Sequence, residues 1–258
     1  MIVVLKKSSV ALVCLIFTLL LVIFSLNINI DNNINDMSSE ITDNRDIQVT
    51  KEGGQQKTVI LDPGHGGEDP GAVSEYSGIK EKDVNLKIAF KLKELLEKDN
   101  CKVIMTRTED ILEYDENTTN IYQKRKQDLT RRKKIMDDSG ADIVVSIHLN
   151  EFPQTQYYGA QVFYPPDSND SQKLANSIQK VLKKDVDPTN KRVAMVKEPP
   201  KGQKPIMILR DIKTTTVIVE CGFLSNFDEE KKLRTDEYQN KIADAIKTGI
   251  INYFKDAD

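Results

Sequence analysis

The chain has 258 residues, of which 39% are hydrophobic and 30% are charged, and this composition suits one globular domain with additional segments. Its 37 basic and 40 acidic residues give a net charge of -3, so the overall charge offers no support for nucleic acid binding. Three cysteines without a Cys-x-x-Cys spacing do not indicate a disulfide framework, and a single Cys101–Cys221 bond is only a minor alternative.

The N-terminal segment is expected to lie outside the folded domain. Residues 8–26 are uncharged and almost wholly apolar from Val10, and Lys6 and Lys7 precede them. This pattern is typical of a secretory signal peptide or a membrane anchor, and we favour an anchor because no small-x-small cleavage site follows. Residues 27–56 are polar and predict a flexible tether. The sequence therefore predicts a folded domain at residues 57–258, outside the cytoplasm.

The folded domain shows strands that alternate with helices. In chain order, the hydrophobic pattern predicts a strand at Thr58–Asp62, a helix at Glu81–Lys98, a strand at Lys102–Thr106, a helix at Ile121–Asp138, strands at Asp142–His148 and Ala160–Tyr164, a helix at Ser171–Lys184, strands at Ile206–Leu209 and Thr216–Glu220, and a helix at Tyr238–Phe254. The segment DIVVSIH has too few polar residues to be half exposed, so we expect it to be central. The alternation predicts a single α/β domain whose mostly parallel sheet is flanked by helices.

Polar side chains suited to chemistry follow several of these strands. Both histidines of the chain, His65 and His148, lie at predicted strand ends, and Glu220 ends another predicted strand. Glu81 begins the first long helix, close to the exit of the first strand. Because ligands bind at the carboxyl ends of strands in an open α/β sheet, we expect these four residues to share one edge.

Two histidines and a carboxylate are the ligand set of a catalytic zinc site, with the fourth position open for water. A second carboxylate is then needed to accept the proton of that water. The spacing alone leaves open which of Glu81 and Glu220 binds the metal and which acts as the base. Taken singly, Glu81 is better explained as a carboxylate that stabilises a helix start than as a metal ligand.

Other readings of individual residues are weaker. Gly64–Gly67 is rich in glycine but lacks the Lys-Ser/Thr of a phosphate-binding loop. Cys221 as a nucleophile is a minor alternative, because its neighbour Glu220 is expected on the opposite face of the strand. The basic run Lys124–Lys134 suits a solvated helix face better than a binding site for anionic polymers.

Four segments, in this order along the chain, resemble the zinc-dependent N-acetylmuramoyl-L-alanine amidases of the amidase-3 type. These segments are ILDPGHGG at residues 60–67, EKDVNL at 81–86, SIHLN at 146–150 and VECGFLSN at 219–226. The resemblance extends over residues 58–254, and several motifs in the correct order make it specific.

The resemblance implies the role of each residue. His65, Glu81 and His148 match the three zinc ligands of the family, Glu220 matches its catalytic glutamate, and Asn150 matches a residue near the substrate cleft. Such enzymes cleave the amide bond between N-acetylmuramic acid and L-alanine in peptidoglycan.

The chain has no wall-binding repeat, and a short anchored chain with only this domain is similar to the germination-specific amidases of spore formers. Those act on cortex peptidoglycan, where muramic-δ-lactam then forms. The N-terminal segment predicts contact with the membrane, and the sequence leaves open whether an activating partner protein is needed. A zinc carboxypeptidase that acts on stem peptides and a catalytically inactive wall-binding domain are the alternatives.

Overall fold

The computed structural model describes residues 56–198 and 206–257. The predicted signal or anchor at residues 1–26 and the predicted tether therefore lie outside the described residues, apart from Gln56. Within the described ranges, no helix has both the length and the apolar character needed to cross a membrane.

A six-stranded sheet forms the centre of the domain, in the order β2-β1-β3-β6-β4-β5. The strands are β1 (Thr58–Pro63), β2 (Lys102–Met105), β3 (Ile143–Asn150), β4 (Gln161–Tyr164), β5 (Met195–Val196) and β6 (Thr215–Phe223). All neighbouring pairs are parallel except β4 with β6, which is antiparallel. The structure thus confirms the mostly parallel α/β sheet and the central position of β3.

Helices cover both faces of this sheet. They are α1 (Glu81–Lys98), α2 (Ile121–Asp138), α3 (Asn169–Val181), α4 (Phe227–Leu233) and α5 (Asp236–Ala257), with a π-helical turn at Leu182–Val186 and a 3₁₀ turn at Met207–Leu209. The apolar stripes of α1, α3 and α5 pack on one face, where they bury the larger core. The other face packs against α2 and the 3₁₀ turn.

Helix α2 buries a mixed stripe, which consists of Asp128, Arg132 and Met136 at four-residue spacing. Burial of a charged side chain requires a partner. Asp128 and Arg132 are each other's partner, because Arg132 Nε donates to Asp128 Oδ2 over 2.6 Å. This pair places a guanidinium group beneath the end of β1.

Several boundaries differ from the predictions. The apolar run Ile206–Leu209 was expected to be a strand, but Met207–Leu209 forms a 3₁₀ turn whose Ile208 and Leu209 pack in the smaller core. Strands β3 and β6 continue two and three residues beyond His148 and Glu220, with a register shift after His148. The short elements β5 and α4 were missed because they offer too few residues for a periodic pattern.

Candidate metal centre

The first element of the site is the glycine-rich loop that follows β1. His65 lies in this loop with φ of 64°, a left-handed conformation that is uncommon for a residue with a side chain. The preceding residue, Gly64, must be a glycine because the His148 ring lies against it, and a Cβ atom there would be 2.2 Å from Cε1 of His148. The Gly64 N–H donates to the Ile147 carbonyl over 2.9 Å, which joins the loop to β3. The loop and β3 thereby bring the two imidazole rings together.

Three side chains from three elements meet at this point. His65, Glu81 at the start of α1 and His148 on β3 each offer one ligand atom, and these atoms all lie within 4.8 Å of one another. Glu81 Oε1 lies 3.3 Å from His65 Nε2 and 3.0 Å from His148 Nδ1. The two rings are 5.0 Å apart between centroids and nearly perpendicular. This cluster can hold a metal ion.

Further contacts fix the orientation of Glu81. Its Oε1 accepts from the Leu149 N–H over 3.0 Å, and its Oε2 accepts from the Ala72 N–H over 2.8 Å. Burial opposes ionisation of this carboxyl, but hydrogen bonds and charge from His148 and His65 hold its pKa well below the ordinary value. The side chain is therefore an anion at neutral pH, as a metal ligand must be.

Asp69 supports His65 from the side away from the cluster. Its Oδ2 lies 2.9 Å from His65 Nδ1, and its Oδ1 lies 2.6 Å from Arg125 Nη2. Burial favours the neutral imidazole, but the hydrogen bonds to Asp69 and Glu81 outweigh it and raise the pKa of His65 to about 9. A carboxylate on the second ring nitrogen fixes the tautomer and orientation of a metal-binding histidine.

Glu220 lies beside the cluster on β6, where it is the register partner of His148 on β3. Its Oε1 is 3.6 Å from Nζ of Lys197. Its Oε2 is buried and has no hydrogen-bond partner among the described residues. Glu220, His65 and His148 line a cavity of about 320 Å³ whose other walls include Leu112, Ile206 and Ile218. The cavity is therefore lined by Glu220 together with two of the three residues of the cluster.

Two buried arginines hold the loop that carries His65. Arg132 donates to the carbonyl oxygens of Pro63 and His65, each over 2.7 Å. Arg107 donates to the carbonyl oxygens of Pro63 over 2.9 Å and of Gly64 over 3.1 Å. These bonds satisfy carbonyl groups that the loop turns away from solvent.

Asp62, at the end of the predicted first strand, makes its side-chain hydrogen bonds away from the ligand histidines. It accepts from Thr106, Arg132 and Ser146 over 2.6, 3.1 and 2.7 Å. Asp69 provides the histidine contact instead. Sequence reasoning missed Asp69, although its position four residues after His65, in a glycine-rich loop, is a usable signal.

The remaining candidates lie near the site or apart from it. Asn150 ends β3, and its side chain accepts from the Glu151 N–H over 2.9 Å, so its predicted contact with substrate stays a prediction. Cys221 and Cys101 are both free and buried, which contradicts the disulfide alternative. Burial also raises the pKa of the Cys221 thiol, and this opposes a nucleophilic role.

The comparisons with known proteins agree with this geometry. Residues 59–252 match the Amidase_3 family model, described as N-acetylmuramoyl-L-alanine amidase. The germination-specific N-acetylmuramoyl-L-alanine amidase of Bacillus subtilis (strain 168) is 35% identical over 198 residues, which cover 77% of this chain and 80% of that protein.

Two solved structures are similar over most of the chain. The CwlD amidase of Clostridioides difficile, solved in complex with the GerS lipoprotein, is 46% identical with a TM-score of 0.74 and covers 79% of this chain and 100% of its own. An N-acetylmuramoyl-L-alanine amidase of Clostridium difficile 630 is 31% identical with a TM-score of 0.66 and covers 80% of this chain and 100% of its own. The family match spans the loop, helix and strands that build the metal centre, and the chain belongs to the Amidase_3 family of N-acetylmuramoyl-L-alanine amidases.

Proposed function

We propose that this amidase uses a zinc ion held by His65, Glu81 and His148, with Glu220 as its general base. The observation that carries the proposal is the convergence of the three ligand atoms within 4.8 Å of one another, beside a carboxylate with an unsatisfied oxygen. Two imidazoles and one carboxylate form a donor set that Zn²⁺ accepts while one position stays free for water.

A zinc ion in this position supplies a Lewis acid that lowers the pKa of water and polarises the amide carbonyl of the substrate. The protein contributes proton transfer and orientation. The carboxylate of Glu220 accepts the proton of the attacking water and then delivers it to the nitrogen of the departing L-alanine. Asp69 and the Leu149 N–H keep His65 and Glu81 in place during this exchange.

The test combines metal analysis with product analysis. The full-length chain should contain about one zinc ion per molecule, and a chelator should abolish turnover until zinc is restored. Digested sacculi should show a new N-terminal L-alanine by mass spectrometry. Loss of a terminal D-alanine instead would identify the carboxypeptidase alternative. Failure to bind zinc, or turnover that resists removal of metal, would contradict the zinc mechanism.

We further propose that the substrate is the peptidoglycan of the spore cortex and that the enzyme acts outside the cytoplasm, attached to the membrane by residues 1–26. The similarity to an amidase named as germination-specific supports the first part. The relative solved with a lipoprotein supports an activating partner of that kind. Spores that lack the gene should have cortex without muramic-δ-lactam, and normal lactam content would contradict this assignment.

A further inference from the structure

Two arginines of the basic helix α2 line the cavity that His65, His148 and Glu220 share. Arg132 is buried, and two aspartates and the carbonyl oxygens of the loop occupy its guanidinium group. Arg125 differs, because its side chain is 45% exposed. Arg125 is therefore a cation at the metal centre that a ligand can reach.

A single carboxylate joins Arg125 to the metal cluster. Asp69 Oδ1 lies 2.6 Å from Arg125 Nη2, and Asp69 Oδ2 lies 2.9 Å from His65 Nδ1. Within the parts of the chain that the structure describes, no other ion pair or hydrogen bond engages the guanidinium group of Arg125. Asp69 thus holds one nitrogen of the group and leaves Nε and Nη1 for a second anion, and a guanidinium fork suits a carboxylate.

Five aliphatic side chains form another part of the same cavity wall. The space of about 320 Å³ is bounded there by Leu112, Leu129, Ile206, Ile208 and Ile218. Binding sites of this kind combine apolar walls with a few polar groups that fix the orientation of the ligand. The cavity therefore suits a ligand that has small apolar groups and a negative charge.

The two parts of peptidoglycan differ in these properties. The N-acetylated sugars of the glycan strand carry no charge. On the stem side, methyl groups of the lactyl unit and of L-alanine flank the scissile amide. The second stem residue is a D-glutamate that is joined through its side-chain carboxyl group, so its α-carboxylate is free. The charge and the walls of the cavity thus match the stem peptide better than the glycan.

We propose that Arg125 binds the free α-carboxylate of the second stem residue and thereby selects stems that carry this charge. In an extended stem that carboxylate lies two residues, roughly 7 Å, from the scissile amide. Arg125 is separated by one carboxylate and one imidazole ring from His65 Nε2, the nitrogen that faces Glu81, which is a distance of the same order. The inference rests on the proposed function, because it takes the metal centre as the position of the scissile amide.

The test compares two substrates that differ only in this charge. Glycan strands whose stems keep the free α-carboxylate are compared with strands in which it has been converted to the amide. The full-length chain should cleave the carboxylate form with a kcat/KM about tenfold higher, the effect of one charge-assisted hydrogen bond, mainly through a lower KM. Arg125→Gln should lose this preference, whereas Arg125→Lys should keep part of it because the charge remains.

The ratio of the two rates separates substrate binding from support of the metal. Arg125→Gln also removes a partner of Asp69, but any resulting loss of zinc lowers both rates equally and leaves their ratio unchanged. Lys126→Gln is the matched control, because Lys126 is the adjacent basic residue, is exposed and lies outside the lining of the cavity. This variant should keep the substrate preference of the unmodified chain.

A second measurement does not depend on turnover. Calorimetry compares the binding of the product dipeptide L-alanyl-γ-D-glutamate and of its α-amide to the zinc-loaded, full-length chain. The carboxylate form should bind about tenfold more tightly, and Arg125→Gln should remove the difference. Thermal melting checks that each variant is folded.

Three results of the dipeptide measurement overturn the proposal. They are equal affinities for the two forms, absence of binding by either form, and a preference that persists in the folded Arg125→Gln variant. A chain that cleaves both kinds of strand equally well refutes the role of Arg125 alone. A chain that cleaves neither kind but still prefers the dipeptide carboxylate refutes the proposed function alone.

Discussion

His148 and Glu220 are register partners on the two central parallel strands, so their side chains leave the same face of the sheet side by side. One residue belongs to the three-ligand cluster, and the other lines the adjacent cavity. Strand pairing therefore places the proposed base next to one of the three ligand residues.

Replacement of Glu220 tests its role as the base. Glu220→Ala should reduce turnover by about 10²- to 10⁴-fold, the usual contribution of one general acid–base group. Zinc content, measured by atomic absorption, should stay that of the unmodified chain because none of the three ligand atoms is removed. Retained turnover would remove Glu220 from the mechanism.

Asp69 should control metal affinity through His65. Asp69→Asn leaves the ring without its charged partner, and zinc affinity should fall by about 10- to 100-fold in a competition titration with a chelator. Glu68→Gln is the matched control, since Glu68 is the adjacent acidic residue and contacts Lys124 and Tyr114 rather than a histidine. Equal affinities in the two variants would show that Asp69 does not support the site.

Asp62 should make the fold sensitive to acid. Burial opposes its ionisation, but Arg132, Thr106 and Ser146 outweigh it and hold the pKa below the ordinary 3.8. Because the pKa of Asp62 is lower in the folded state than in the unfolded state, its ionised carboxylate stabilises the fold at pH values above the unfolded-state pKa. This stabilisation is lost as the pH falls below about 4. The free energy of unfolding of the unmodified chain, measured with urea, should therefore fall steeply in this pH range.

The Asp62→Asn variant should be less stable at neutral pH by about 3 kcal/mol in free energy of unfolding, because Arg132 loses a buried anionic partner. Its stability should depend less on pH below about 4, since the titrating group is absent. The exposed pair of Asp138 with Lys134 supplies the control, and Asp138→Asn should leave the urea midpoint unchanged. Parallel pH profiles for Asp62→Asn and the unmodified chain would contradict this assignment.

Cys221 should be dispensable for the reaction. Burial raises its pKa, so the thiol stays protonated at neutral pH and cannot attack an amide. Cys221→Ala should keep the turnover of the unmodified chain and its sensitivity to chelators. An inactive but folded and zinc-loaded Cys221→Ala variant would revive the cysteine-hydrolase alternative.

The sequence predicted the parts of the fold that depend on local pattern. Strands β1, β3 and β6 have continuous apolar runs, and α1 and α2 were predicted with the bounds that the structure gives. The run Ile206–Leu209 was assigned wrongly, because a short apolar segment does not distinguish a strand from a buried turn. The two-residue strand β5 and the seven-residue helix α4 were missed, because they carry too little periodicity to be predicted.

The candidate site was predictable to a similar extent. His65, His148 and Glu220 follow or end predicted strands, and parallel topology brings such positions to one edge. Two ion pairs of the site could not be predicted, because they depend on side-chain packing between distant segments. They join Lys197 to Glu220 and Arg125 to Asp69.

The buried guanidinium groups of Arg107 and Arg132 have one more consequence. Because the chain's own cations tether the carbonyl oxygens around His65, we expect that loop to keep its shape without a bound ion. We therefore expect chelation to empty the centre without melting the domain. Under the proposed zinc mechanism, removal and return of the metal should then stop and restore turnover with no refolding between the two states.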